Sequence, residues 1–359
     1  MIDTYKIDSH KLDLHPERIS KWMSAKTIDE KIKVFPLYVE ISPVGHCNHR
    51  CTFCAVDYIG YMPRSISFDV MTQCLMSMAA NGVKSVMYAG EGEPLLHKDI
   101  ASIVNYTRGS GIDVAFTTNG VLLNEKFVED CMSNVSWIKI SLNAGDKETY
   151  AQVHKTKSED YDKVLRNLMF ASTFRDTNNL KTTIGVQAVV IPENIASIEN
   201  LIIDAHCAGA DYVVLKPYSQ HGSSINKYEI NYKNWDFYLT GLAEKFSHDY
   251  FKVIYRRDSA LQASRGYDKC YSTPNFWAYI MATGDVYGCS AYLLDERFKY
   301  GNIGQESFEK IWLGDKRRES LEYVEKSLDI SECRKNCRLD KGNQYLWNLK
   351  NPGQHDNFI

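Results

Sequence analysis

Between residues 37 and about 216, short apolar runs alternate with longer stretches in which apolar positions recur at helical spacing. The runs at 37–42, 85–89, 113–118, 137–142, 183–190 and 212–215 read as strands. Helices are expected between them at 68–81, 97–110, 124–133, 161–175 and 194–208, with Ser67 as N-cap of the first and Gly209 closing the last. Such strict alternation implies parallel strands joined by right-handed crossovers. Six units fit a partial barrel better than a complete eight-stranded one, with functional residues at the C-terminal ends of the strands by analogy with full barrels. The expected fold class is α/β, a partial (β/α)6 TIM-like barrel over 37–250. A segment at 1–36 precedes it. Past Tyr255 the alternation stops, and a small α+β extension over 255–345 and a tail over 346–359 follow.

Composition narrows the class. Hydrophobic content of 44% and charged content of 24% are ordinary for a soluble globular enzyme. A formal net charge of −3 gives no general attraction to a polyanion, so no nucleic-acid partner is expected. No run approaches eighteen apolar residues, so no membrane partner is expected either. The first ten residues are polar and charged, unlike a secretory signal, which points to a cytoplasmic, reducing compartment.

The chemistry begins directly after the first strand, in the run Gly45-His46-Cys47-Asn48-His49-Arg50-Cys51-Thr52-Phe53-Cys54. One loop of this length brings three thiolates onto one inorganic cluster. Three ligands on a four-iron cube leave one iron open to a small chelate, so the site reads as a reaction centre. Zinc is the main competitor, but structural zinc takes four ligands in two pairs, and the nearest extra donors are His46 and His49. A disulfide framework suits small secreted domains, not a chain of 359 residues.

The spacing C-x3-C-x2-C, with Phe53 just before the last cysteine, resembles the signature of the radical S-adenosylmethionine (radical SAM) superfamily. That resemblance implies the same partial barrel. It also implies a [4Fe–4S] cluster on Cys47, Cys51 and Cys54, with S-adenosylmethionine on the open iron. Gly90-Glu91-Gly92-Glu93-Pro94 resembles the family's "GGEP" motif with Glu91 in place of its first glycine. Gly92 and Glu93 would hold the amino group of the cofactor's methionine half. Thr117-Thr118-Asn119-Gly120 makes a polar turn after the third strand. Ser141 and Asn143, on one face by strand alternation, match positions that contact the ribose and the methionine carboxylate.

Four further cysteines follow. Cys270 and Cys289 flank the hairpin pattern Thr283-Gly284-Asp285, and Cys333 and Cys337 come later. By composition alone, zinc and iron–sulfur fit these four equally. The C-x(13)-G-x(4)-C element, the Gly301-Asn302-Ile303-Gly304 stretch and the late pair resemble the SPASM extension in its shortened "twitch" form. This implies one auxiliary [4Fe–4S] cluster on Cys270, Cys289, Cys333 and Cys337. Cys74, Cys131 and Cys207 fall in helix patterns and are expected to pack in the core.

The resemblance implies reductive cleavage of S-adenosylmethionine to a 5′-deoxyadenosyl radical, with electrons from a flavodoxin or ferredoxin. The expected outcome is dehydrogenation or epimerisation of a carbohydrate-like or aminocyclitol small molecule, with Lys216, Arg256 and Arg257 as candidates near the substrate. A ribosomally made peptide is the alternative substrate, but only 36 residues precede the first strand, few for a leader-binding module. A non-catalytic metal-binding or electron-transfer protein is the alternative of another class.

Overall fold

The computed structural model describes residues 5–7, 9–262, 264–334, 336–356 and 358. A ten-stranded sheet runs through it in the order β10-β9-β8-β1-β2-β3-β4-β5-β6-β7. Strands β1 (Tyr38–Ile41), β2 (Ser85–Tyr88), β3 (Asp113–Thr118), β4 (Trp137–Ser141), β5 (Thr183–Val190) and β6 (Tyr212–Pro217) are parallel and adjacent in chain order. These are the six expected strands, and the fold is the partial barrel.

Alternation along each strand sorts its side chains. Val39, Ile41, Val86, Ile138, Ile140, Val186 and Leu215 are fully buried in one core with helix residues such as Leu75, Ile103, Val164 and Leu201. This outer layer, between sheet and helices, supplies most of the burial that holds the barrel together. The intervening positions, Glu40, Thr117, Lys139, Ser141, Gln187 and Lys216, therefore face the barrel interior. Helix ends follow the expected chemistry. The Ser67 hydroxyl accepts the Val70 N–H at 3.4 Å, and Gly209 turns at φ +87° after helix Ile198–Cys207.

Two parallel strands lie beyond the six. β7 (Lys252–Tyr255) adds outside β6 after helix Asp236–Phe246, and β8 (Trp277–Ile280) pairs with β1 at the opposite side. β8 turns back at Gly284, φ +84°, into antiparallel β9 (Asp285–Tyr287), which pairs with β10 (Lys299–Asn302). The cysteine-bearing extension thus continues the barrel sheet. Helix Lys147–His154, absent from the expected set, opens at Asp146, whose carboxylate accepts the Thr149 N–H at 2.7 Å.

Cys74 and Cys131 are buried as expected, whereas Cys207 is exposed. It is the last residue of its helix, where the chain turns through Gly209 toward β6. Helix Pro16–Ser24 meets helix Asp340–Lys350 through Ile19, Trp22 and Leu346, which pack on Leu37 and Phe276. Helix Asp340–Lys350 therefore sits at the N-terminal ends of β1 and β8, away from the first cysteine loop. Residues 1–4, 8, 357 and 359 of the two terminal segments lie outside the described residues. No helix among the described residues is long and apolar enough to cross a membrane.

Candidate active site

The loop of Cys47, Cys51 and Cys54 leaves the C-terminal end of β1 and is fixed by backbone bonds from two directions. The N–H groups of Arg50 and Thr52 donate to the carbonyls of His154 and Val153 at 3.0 and 2.9 Å, and the Glu93 N–H donates to the His46 carbonyl at 3.0 Å. Gly92 lies hard against the same loop. A Cβ there would stand 2.4 Å from the carbonyl oxygens of both His46 and Val44, so only glycine allows the approach.

All three thiols are half-buried. Burial is the main cause that pushes each above the ordinary thiol range, Cys47 to about 12. For Cys51 the next causes are Cys54 and Cys47 themselves, which places the three sulfurs together. Three gathered, buried thiols favour their protons even with Arg50 acting against this at Cys47 and Cys54; a cationic cluster core would reverse that preference and take them as thiolates. The donor set therefore fits a cube held at three corners.

His49 and His154 complete the surroundings. One ring nitrogen of each and Cys51 Sγ lie within 4.8 Å of one another. Burial pushes His154 down to about 3, so its ring is neutral. Its Nε2 lies 2.8 Å from the Leu142 carbonyl, which can only accept, so the proton sits there and Nδ1 faces Cys51 Sγ at 3.2 Å. His49 Nε2 points to Asp160 at 3.5 Å. Phe53 meets the His154 ring edge-on at 5.5 Å and packs on the main core.

The Glu93 carboxylate joins the loops after β2 and β3. It accepts from the Thr118 hydroxyl at 2.6 Å, the Asn119 N–H at 2.8 Å and the Leu95 N–H at 3.1 Å, while burial raises its pKa. Ser141 is half-buried on the interior face, level with Gln187 of β5. Asn143 does not share that face. It lies past the strand end at φ +56°, which breaks the alternation, and is fully buried. Its Oδ1 accepts the Val189 N–H and its carbonyl accepts from Asn194 Nδ2, both at 2.8 Å, so it braces β4 against β5.

Cys270, Cys289, Cys333 and Cys337 line one cavity together with Arg265, Tyr292 and Arg334. Arg265 clamps the late loop by donating to the carbonyls of Cys333 and Arg334 at 2.8 and 2.9 Å. The Tyr292 hydroxyl lies 3.3 Å from Cys333 Sγ. Burial pushes Cys270 to about 11 and Cys289 to about 12. Four thiols facing one enclosed space fit a single cluster.

Comparison with known proteins agrees with this geometry. The model of the radical SAM superfamily matches residues 41–204, and that of the SPASM iron–sulfur cluster-binding domain matches 270–338. Residues 41–204 thus form a radical SAM domain and residues 270–338 a SPASM domain. The cofactors of these two domains are S-adenosylmethionine, a [4Fe–4S] cluster and auxiliary iron–sulfur. The GTP 3′,8-cyclase of Chlorobaculum tepidum is 27% identical over 187 residues, 51% of this chain and 55% of that protein. That of Limosilactobacillus fermentum is 34% identical over 140 residues, 38% and 41% of the two chains. The chain spans about half the length of the curated relatives it matches. Among solved structures, Streptococcus suis SuiB bound to S-adenosylmethionine superposes with a TM-score of 0.66 at 19% identity, over 88% of this chain and 75% of that one. Native anSMEcpe with bound AdoMet gives 0.57 at 19% identity, over 79% and 83%. These structural likenesses are likenesses of fold.

Sequence reasoning did not single out Lys139, His154 or Arg334. Lys139 had a legible signal, a cation at an inward position of the otherwise apolar strand Trp137-Ile138-Lys139-Ile140. Of the three cations that were singled out, Arg257 is removed by its paired bonds to Asp236 at 2.8 and 2.7 Å on the surface.

Proposed function

We propose that this radical SAM enzyme abstracts hydrogen from a polar, carbohydrate-like or aminocyclitol small molecule, with dehydrogenation or epimerisation as the result. The barrel interior carries the reading. At the inward strand positions stand Glu40, Thr117, Lys139, Ser141, Gln187 and Lys216, a face equipped to hydrogen-bond hydroxyls and charges.

In this reading Cys47, Cys51 and Cys54 hold the first cluster, and Cys270, Cys289, Cys333 and Cys337 hold one auxiliary cluster. When bound, the reduced cluster and S-adenosylmethionine supply a 5′-deoxyadenosyl radical that takes hydrogen from an unactivated carbon. The chain's own groups position the reactants and exclude water. Gly92 lets the loop after β2 approach the cysteine loop, Glu93 fixes that loop to β3, Phe53 packs behind it, and Ser141, on the interior face, would hold the ribose of the cofactor. Asn143 acts through β5 as a positioning residue. The four-cysteine site is suited to collect the second electron of a dehydrogenation, and a flavodoxin or ferredoxin supplies the first reduction. A peptide is the second reading, since SuiB has been solved bound to its precursor peptide SuiA.

The test is anaerobic reconstitution with S-adenosylmethionine and reductant, challenged separately with a small-metabolite fraction and a peptide fraction. Stimulation of 5′-deoxyadenosine formation by the small metabolites supports the proposal. Stimulation by peptides alone overturns it.

A further inference from the structure

We propose that the first cysteine loop offers a second metal site, one that excludes the cluster: in a chain not yet charged with iron, Cys51, His49 and His154 bind one zinc ion. This goes beyond the reaction and holds for a small-molecule and a peptide substrate alike.

The donors are close enough for a single ion. Cys51 Sγ and one ring nitrogen of each histidine lie within 4.8 Å of one another, and His154 Nδ1 stands 3.2 Å from the sulfur. The two histidine rings lie 5.1 Å apart between centroids, inclined at 64°. Zinc–nitrogen bonds of about 2.0–2.1 Å and a zinc–sulfur bond of about 2.3 Å set tetrahedral donors about 3.3–3.8 Å apart, which small ring rotations reach from here. No other three histidine, cysteine or carboxylate donors among the described residues come so close. The sulfurs of Cys47, Cys51 and Cys54 are therefore spread more widely, as the corners of a cube require, and do not close on one ion.

Each histidine is already oriented as a ligand. Metal-bound histidines give the N–H of their other ring nitrogen to a carboxylate or a backbone carbonyl, which fixes the tautomer and leaves the ligating nitrogen bare. His154 Nε2 lies 2.8 Å from the Leu142 carbonyl, so its Nδ1 is bare and faces Cys51. His49 Nε2 lies 3.5 Å from the Asp160 carboxylate, which the Thr156 hydroxyl anchors at 2.6 Å. That leaves Nδ1 as the donor of His49. The residue is 1% exposed, and this nitrogen has no hydrogen-bond partner among the described residues. A polar atom shut away from water without a partner is costly, and a metal ion removes the cost.

One thiolate and two imidazoles suit zinc, and three protein ligands with a water in the fourth position make an open zinc site. On binding, the Cys51 thiol releases its proton to solvent as the sulfur–zinc bond forms, while both histidines enter neutral and keep their Nε2 protons. Because Cys51 serves either the ion or the cluster, zinc at this place also ends cleavage of S-adenosylmethionine. Zinc on the four auxiliary cysteines leaves the loop untouched.

Cobalt(II), whose visible bands report four-coordinate sites with sulfur ligands, tests this by anaerobic titration into the iron-free full chain, followed by displacement with zinc. About two equivalents are expected, one on the auxiliary cysteines and one at Cys51. Asp160→Asn, which touches no metal, should weaken the second equivalent by about tenfold to a hundredfold, and Cys51→Ala, His49→Gln and His154→Gln by at least as much. Cys47→Ala and Cys54→Ala should leave it unchanged. Retention of the auxiliary equivalent with an unaltered circular dichroism spectrum shows that a variant is folded. On the reconstituted protein, with the first cluster in place, the second equivalent should not bind. Binding that survives both histidine substitutions, binding lost equally on substitution of Cys47 or Cys54, a single equivalent on the unchanged chain, or uptake at Cys51 beside an intact cluster each overturns the inference.

Discussion

Glu91 Oε1 accepts the backbone N–H of Ala282 at 2.7 Å, which ties the loop after β2 to the turn that leaves β8. The Glu91 N–H in turn donates to the Ser42 hydroxyl at 3.2 Å. In the motif this segment resembles, a glycine stands at this place. Here the position carries a side chain that spans from the barrel to the SPASM domain. Its neighbour Gly90 shows why no larger residue intrudes there: at φ +114° a Cβ would stand 2.5 Å from Ser42 Cβ.

Glu91→Ala should therefore destabilise the protein by about 1–3 kcal/mol, because the buried Ala282 N–H loses its acceptor. Glu91→Gln keeps a carbonyl oxygen in place and should recover most of the loss. Denaturation of both variants at equal iron content checks the difference.

Cys51→Ala should abolish reductive cleavage of S-adenosylmethionine. Cys333→Ala should keep cleavage yet lose net product, if the auxiliary site collects electrons. Quantifying 5′-deoxyadenosine and product together separates the two. Iron content should stand at about eight per chain before substitution, four for each cube. A value near four, accompanied by zinc, would remove the auxiliary cluster.

Arg317 is fully buried, and its terminal nitrogens donate to the carbonyls of Ile32, Trp312 and Pro274 at 2.8, 3.0 and 2.8 Å and of Val34 at 3.3 Å. It thereby binds the N-terminal segment to the SPASM domain. Arg317→Met leaves several of these carbonyls without a donor and should cost more than about 3 kcal/mol. Urea denaturation reads this directly, and an unchanged midpoint would refute the structural role.

Stability should depend on pH through the interior lysines. Lys216, which faces Lys139, Arg256 and Arg334, holds its proton less tightly in the folded chain, at about 7 against an ordinary 10.5. Below about pH 7 it is charged in both states and its burial is fully unfavourable. Between there and the ordinary lysine value the unfolded chain binds more protons, so stability rises with pH. The denaturation midpoint of the unchanged protein should climb between about pH 7 and 10. Lys216→Met should flatten that climb, and parallel curves would refute it.

The outer layer of the barrel was legible because each strand there is a short apolar run, and the cysteine loop was legible because its three ligands are adjacent in sequence. Strand β8 was not. Its run Trp277-Ala278-Tyr279-Ile280 is apolar throughout, so nothing local shows that it pairs with β1, far away in the chain. β7 was not singled out either, since it follows the long stretch after β6 and lies beyond the regular alternation. Helix Lys147–His154 carries mostly polar residues outside and so hid His154, although Asp146 as its cap was readable. Asn143 deceived because alternation was extended past the strand end into a left-handed residue.

The central claim is an iron with an open coordination position, held at Cys47, Cys51 and Cys54. Electron paramagnetic resonance of the reduced, reconstituted protein, before and after addition of S-adenosylmethionine, tests it most directly. The cluster signal should shift when the cofactor's amino and carboxylate groups occupy the vacant corner. A signal that stays unchanged, or that already shows nitrogen coupling from His154 or His49 at that corner, would contradict the account.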